Sequence, residues 1–477
     1  MYDLIVKDAL LVLTEGTFHT DIAVDKGSVA ALLAPGSAAP ARRIIDARHH
    51  KVLPGLIDAH MHVQAPFQGI TGRLSFYQQS LCAAFGGVTT LFDFTNTRRR
   101  QSVFQALHER REEMAECAVD YAVHGKFVEA SARHCAEIPA LIRAGCPTFK
   151  LFMTYGREGV MANDATLARI FTLARQYPIL PMVHAESDAL VEHFYQHKVA
   201  EGRLTWRDFA EHKPKLCESE AFQRAVTLAT GLGSPLLIVH TTHGECLDIA
   251  ARAQRRGFPI YVETCPHYLT RFDDLYQDPA NGHLAICSPP LRRPEDAAAL
   301  WQGIKQRVIS VIGSDDCAFS REEKERQLQR DAQGNLIQDF RLVVNGVAGM
   351  ETRLPVLLTE GVACGRITLN QLVAITSTNV ARLMGCYPRK GTLLPGSDAD
   401  MVILDDSERW TLRQQDLHNG CDYSLYEGFQ ATGRVIATLL RGETIVHRGR
   451  FLGNRGQGQY LHRSLDPAII RHFYPFA

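Results

Sequence analysis

Between about residue 52 and residue 314 short apolar runs recur at intervals long enough to hold a helix between them. The runs lie at 52–59, 89–94, 121–127, 148–153, 179–183, 236–239, 260–263 and 308–312. Near-continuous apolar character means that a strand is covered on both faces, and helix-length crossovers make neighbouring strands parallel. Eight units of this kind predict an α/β fold with a (β/α)8 TIM-type barrel in preference to an open doubly wound sheet.

The polar residues of this region fall where such a barrel would use them. His60 and His62 close the first strand, Lys150 sits at the start of the fourth, His184 ends the fifth, His240 the sixth, and Asp315 follows the eighth. Positions i and i+2 of a strand face the same side, so His60 and His62 present two imidazoles together, half of a metal site. An isolated His-x-His pair is common by chance; five strands giving the same signal at the ends where barrel enzymes keep their chemistry is not. Lys150 lies inside an apolar strand, and an unpaired lysine is costly to bury.

The flanks have a different texture. Residues 1–53 alternate short β-like runs with turn signals such as Glu15-Gly16 and Lys26-Gly27, and after a helical segment near 372–384 the chain returns to turn-rich β patterning at 391–452. The two ends are expected to form one discontinuous β-sandwich, 1–53 and 386–455, around a barrel at 54–385, with a tail at 456–477. Two connections, 186–234 and 318–346, are long enough to shape a pocket or an interface.

Charge excludes some partners. Lys plus Arg and Asp plus Glu number 52 each, so no net field favours nucleic acid or an anionic membrane. No run of about 18 apolar residues indicates a membrane span, and the start, Met1-Tyr2-Asp3-Leu4-Ile5-Val6-Lys7-Asp8, lacks the layout of a signal peptide. The twelve cysteines contain no Cys-x-x-Cys pair, which argues for reduced thiols and a cytoplasmic protein.

Seven motifs stand in order along nearly the whole chain. They are Gly55-Leu56-Ile57-Asp58-Ala59-His60-Met61-His62, Phe149-Lys150-Leu151-Phe152-Met153-Thr154-Tyr155, His184-Ala185-Glu186, Glu263-Thr264-Cys265-Pro266, Ser288-Pro289-Pro290-Leu291-Arg292, Gly313-Ser314-Asp315 and Lys390-Gly391-Thr392 with Gly396-Ser397-Asp398-Ala399-Asp400. In these the chain resembles the dihydropyrimidinase/hydantoinase family of cyclic amidohydrolases.

The resemblance implies two divalent metal ions, usually zinc, one held by His60, His62 and Asp315 and the other by His184 and His240. Lys150 would bridge them as a carbamate, because an ammonium cannot ligate a cation and a carboxylated lysine presents two anionic oxygens. It further implies a bridging hydroxide, Asp315 as the group that moves its proton, Tyr155 as donor to the oxyanion, and Ser288 and Asn345 as backbone positions that bind the ring amide edge. The expected reaction opens dihydropyrimidines or 5-substituted hydantoins to N-carbamoyl amino acids. The alternatives are an allantoinase-like or otherwise specialised cyclic amidohydrolase, and a non-catalytic scaffold, which loss of metal ligands would mark; here all six positions are filled. A homotetramer is expected, with the aromatic tail as a possible contact.

One departure from the family pattern is Asp316, where a histidine usually follows the aspartate; it bears on hydrogen bonding around the base. The loops at 63–73, 94–100 and 154–163 are expected to meet the substituent of the ring. Arg73 and the run Arg98-Arg99-Arg100 are candidates for a carboxylate or ureido group, although a charge run is more often a solvated face. His124, His243 and His267 read as satisfied core histidines, the last two near enough to strand ends to support a ligand. Cys317 has no activating base assigned to it and reads as structural.

Overall fold

The computed structural model describes residues 1–476. Five strands precede the barrel: β1 (Tyr2–Leu13), β2 (Gly16–Asp25), β3 (Ser28–Leu33), β4 (Ala41–Asp46) and β5 (Lys51–Pro54). The barrel follows with β6 (Leu56–Asp58), β7 (Val88–Phe94), β8 (Asp120–Lys126), β9 (Thr148–Phe152), β10 (Leu180–His184), β11 (Leu236–Ile238), β12 (Ile260–Thr264) and β13 (Val311–Ile312). Four more, β14 (Met401–Thr411), β15 (Gln430–Leu440), β16 (Glu443–His447) and β17 (Arg450–Phe451), come from the C-terminal part.

Both chain ends build one sheet. β1 pairs antiparallel with β2 and parallel with β4 and β5, and β5 pairs antiparallel with β14, which carries β15, β16 and β17 beyond it. β1 and β2 slip register between Val6 and Ala9. Asp8 takes the left-handed backbone there (φ 53°) and its N–H donates to Asp21 Oδ1 at 2.8 Å, the kind of bulge an aspartate tolerates. Leu4, Val6, Leu11, Val24, Met401 and Leu439 form the buried face of this sheet.

The barrel strands lie in sequence order, all parallel, from β6 to β13. The ring closes just beyond the two end strands, where His62 N–H donates to Asp316 O at 2.8 Å and Ser314 N–H to Asp58 Oδ1 at 3.1 Å. Side chains alternate as a strand requires: Phe149 and Leu151 pack outward against the helices, whereas Lys150 between them turns inward to His60. Lys150 is therefore the middle residue of β9 and not its first.

The apolar run at 52–59 is two strands in two sheets. Lys51–Pro54 pairs with β14 and Leu56–Asp58 with β7. Gly55 makes the change of sheet, its N–H bonded to Asp400 O at 2.8 Å, and a Cβ there would collide with Thr89. The run at 308–312 contributes only Val311–Ile312 to the barrel ladder.

The first long connection is helical, with Asp188–Ala200, Asp208–His212 and Lys215–Leu232, while the second holds only Arg321–Glu325 and a short turn at Phe340–Leu342. The helical segment expected near 372–384 is present, with a wider turn at Ala374–Thr378 in its middle. The tail packs on its own barrel: Leu461, Leu465, Ile469, Ile470 and Phe476 join Leu180, Met182 and Tyr261 in one buried cluster, and Tyr261 Oη donates to Ile469 O at 2.6 Å. Among the described residues no helix is long and apolar enough to cross a membrane.

Candidate active site at the mouth of the barrel

His60, His62, Lys150, His184, His240 and Asp315 converge inside the C-terminal end of the barrel. Asp315 Oδ1 lies 3.2 Å from His60 Nε2 and 3.4 Å from His62 Nε2, and Lys150 Nζ is 3.3 Å from His60 Nε2. One ligand atom each from His60, His240 and Asp315 fall within 4.8 Å of one another. The His184 and His240 rings are 4.4 Å apart, and those of His60 and His240 5.4 Å.

Carboxylates outside this cluster hold two of the imidazoles. Glu263 Oε1 is 2.6 Å from His60 Nδ1, and Glu186 Oε2 is 2.7 Å from His184 Nε2. Each contact fixes a ring and leaves the other nitrogen free for the centre, the arrangement that orients metal-binding histidines. Burial disfavours protonation of three rings: it lowers the pKa of His62 against the pull of Asp315, and lowers those of His184 and, most strongly, His240. Burial also lowers Lys150 to about 8. Asp315 goes the other way, since burial raises its pKa but His60, His62 and His240 together hold it well below the usual carboxylate range. Four imidazoles, an ionised carboxylate and a buried lysine with a weakened hold on its proton form a donor set that fits two divalent cations.

The backbone is held in the left-handed region at Tyr155 (φ 69°), His240 (φ 41°) and Asp315 (φ 49°). Non-glycine residues there cost about 1–3 kcal/mol each and concentrate at functional sites. The Tyr155 ring lies 5.2 Å from His184 and 4.9 Å from Phe67. Burial, aided by Glu186, raises its pKa well above that of a free phenol, so it keeps a proton to donate.

Ser288 and Asn345 both line the cavity above the cluster. Ser288 Oγ donates to Glu186 Oε2 at 2.8 Å and contacts Lys213 Nζ, which lies 3.1 Å from the same carboxylate oxygen. The Asn345 N–H donates to Gln68 Oε1 at 3.0 Å, so Gln68 holds this donor. Asp316 turns away from the centre: its carboxylate accepts from Gly349 and Met350 N–H at 2.8 and 2.9 Å and from Gln79 Nε2 at 3.1 Å. Its role here is to tie the closing loop to neighbouring segments, and burial raises its pKa to about 6.

Arg73 is not at the site; its guanidinium donates to Ser320 Oγ and Glu322 Oε2, and its backbone N–H to Glu323 Oε1. Arg98 and Arg99 line the cavity, whereas Arg100 N–H is bonded to Glu129. His124 is satisfied by Thr148 Oγ1 and Ala59 O at 2.6 and 3.1 Å. His243 sits with Glu218 and Cys246, where Arg292 supplies the counter-charge to Glu218, and His267 is buried with its Nε2 unbonded. Burial and the neighbouring Asp315 raise the Cys317 thiol far above its ordinary value, which leaves it protonated.

Glu263 and Glu186 belong to two of the seven motifs, yet spacing does not reveal their partners, and Lys213 carries no sequence signal because it lies in the long helical connection.

Residues 51–445 match the amidohydrolase family. The chain is 34% identical over 469 residues to a D-hydantoinase of Streptomyces coelicolor, covering 96% of this chain and 98% of that one. It is 32% identical over 470 residues to a D-hydantoinase of Geobacillus stearothermophilus, with 98% of each covered. A crystal structure of a dihydropyrimidinase from Brevibacillus agri superposes with a TM-score of 0.92 at 32% identity, covering 96% of this chain and 98% of that one.

Proposed function

The chain belongs to the amidohydrolase family, and on that footing we propose that the ring it opens is a dihydropyrimidine or a 5-substituted hydantoin, released as an N-carbamoyl amino acid. It is a cyclic amidohydrolase, as its full-length similarity to D-hydantoinases indicates. The observation that carries the reading is the convergence of four imidazoles, a buried lysine and one carboxylate at the mouth of the barrel, with Glu263 and Glu186 orienting two of the rings.

In this reading His60, His62 and Asp315 would hold one ion and His184 and His240 the other, with zinc as the metal, and Lys150 would serve both as a carbamate. Lys150 suits that role because burial favours the neutral amine that adds carbon dioxide. Bound divalent ions supply a water of lowered pKa and polarise the substrate carbonyl. Asp315 accepts the proton of the attacking water and returns it to the ring nitrogen as the carbon–nitrogen bond breaks. Tyr155 donates to the carbonyl oxygen as negative charge develops there, a contact strongest in the transition state. The segments at Ser288 and Asn345 bind the amide edge, the second after Gln68 releases the Asn345 N–H. Lys213 and Ser288 keep Glu186 ionised and in place against His184.

The test is ring opening of dihydrouracil, hydantoin and allantoin by protein loaded with zinc in bicarbonate buffer, beside Lys150→Ala. Turnover of either of the first two that disappears in the variant is expected. Allantoin alone as substrate would move the enzyme to the allantoinase-like reading, and failure to bind metal would overturn the catalytic one. The cytoplasmic location and homotetrameric assembly are proposed with it, to be read by fractionation and by sedimentation.

A further inference from the structure

The cavity over the site has a volume of about 880 Å³ and runs from His62, His184, His240 and Asp315 to Lys126, Arg98 and Arg99. Lys126 ends β8 in register with Lys150 of β9, so the two lysines stand side by side across the ladder. The Lys126 N–H donates to Thr95 Oγ1 at 2.8 Å, which fixes the strand end. Its ammonium has neither a hydrogen-bond acceptor nor a carboxylate partner among the described residues, although the side chain is half-buried against the cavity wall.

Two of the acids on that wall are taken up in ion pairs. Asp93 and Glu113 hold Arg110, at 3.1 and 2.6 Å. Glu109 accepts from Gln101 Nε2 and Gln105 Nε2 at 3.0 and 2.8 Å, and Glu158 is exposed. The guanidinium groups of Arg98 and Arg99 are exposed at the rim and have no carboxylate partner among the described residues. Lys126, Arg98 and Arg99 thus line a substrate-sized cavity with no ion pair among the described residues, in company with Glu109 and Glu158, which no cation pairs. Burial lowers Lys126 to about 8, with Arg110 and Arg98 lowering it and Asp93 raising it, which leaves it charged at neutral pH. A half-buried charge with no partner is costly in the free protein and favourable once an anion meets it.

We propose that this wall is a specificity subsite in which Lys126, with Arg98 and Arg99 at the rim, binds a carboxylate carried on the side arm of the cyclic amide. It rests on the reading of the site given above and names its substrate class, ring amides with an acidic substituent. Pro66, Phe67 and Phe152 line the same cavity and offer apolar contact to the methylenes of such an arm.

The experiment compares 5-(2-carboxyethyl)hydantoin with its carboxamide, 5-(2-carbamoylethyl)hydantoin, by calorimetric binding and by turnover with the metal-loaded protein. The acid is expected to bind about tenfold to a hundredfold more tightly, the range of one charge-assisted hydrogen bond, with the difference in KM and not in kcat. Lys126→Met is expected to bring the ratio of acid to amide near one, and Lys126→Arg to retain it. Equal binding of the two compounds by the unaltered protein overturns the subsite, as does a preference that survives Lys126→Met. Should Lys126→Met fail to fold, Arg98→Gln combined with Arg99→Gln is expected to reduce the ratio, and an unchanged ratio there, together with one that does not fall as salt is raised, overturns it. Tighter binding of the acid with no turnover of either compound overturns ring opening and upholds the subsite; turnover of both with equal KM does the reverse.

Discussion

Glu263 Oε1 lies 2.6 Å from His60 Nδ1, and both side chains are fully buried. The contact sets which nitrogen of His60 faces Lys150 and Asp315, and it ties the end of β6 to β12 across the intervening β13. Glu263→Gln keeps the shape and removes the charge that holds this tautomer. The variant is expected to bind metal about 10–100-fold more weakly, the usual cost of losing such a support. Metal titration read by calorimetry checks it, and unchanged affinity would show that the carboxylate serves folding alone.

Tyr155 is placed by Phe67 and His184 through its ring and carries its hydroxyl as a separate feature. Tyr155→Phe therefore retains the packing and deletes one donor. The expected result is a fall in kcat of about 10²–10³, as for loss of an oxyanion donor, with KM nearly unchanged. Steady-state kinetics on hydantoin decides between this and a packing role, which would raise KM or lower the melting temperature instead.

Much of the centre is legible in the sequence because it breaks local rules. His60 and His62 end an apolar strand, and Lys150 sits between Phe149 and Leu151 with no local partner, so each conflicts with simple burial. What spacing does not carry is pairing at a distance: Glu263 is 203 residues from His60, and Lys213 meets Glu186 only because the helical connection folds back over the mouth. Gly55 divides one apolar run between two sheets, which periodicity cannot reveal because both halves are equally apolar. Arg73 and Asp316 show the same limit. Their charges suggest roles at the site, and their partners, Ser320 and Glu323 for one and the Gly349–Met350 backbone for the other, lie outside it.

Lys390 joins the barrel to the second sheet. Its Nζ lies 2.6 Å from both Asp120 Oδ2 on β8 and Asp400 Oδ2, and 3.0 Å from Asp398 Oδ2, in a buried setting. Burial lowers the pKa of Lys390, but Asp400, Asp120 and Asp398 outweigh it and raise the value above the ordinary lysine range. Lys390→Met leaves buried carboxylates without their cation and is expected to cost about 3–5 kcal/mol of stability. A lowered melting temperature with an unaltered metal content per folded chain is the expected outcome; loss of metal at an unchanged melting temperature would contradict it.

His212, next to the Lys213 that holds Glu186, gives the fold a pH dependence. The ring is buried, stacked on Phe340 at 4.5 Å and 14°, and its pKa is lowered to about 3. Burial is the main cause, Lys213 and Lys198 add to it, and Glu186 and the Phe209 carbonyl oppose it. The unfolded chain binds a proton here near pH 6.5. Stability from the neutral ring is therefore complete above that pH and falls as the pH drops toward the folded value, because the unfolded state gains a proton that the folded state refuses. The slope for one such group is about 1.4 kcal/mol per pH unit. His212→Gln removes this titration, so melting temperatures of the variant and the unaltered protein, measured between pH 7 and pH 5 at fixed metal, are expected to converge as the pH falls. Parallel curves would mean that His212 takes up its proton in the folded protein as readily as in the unfolded chain.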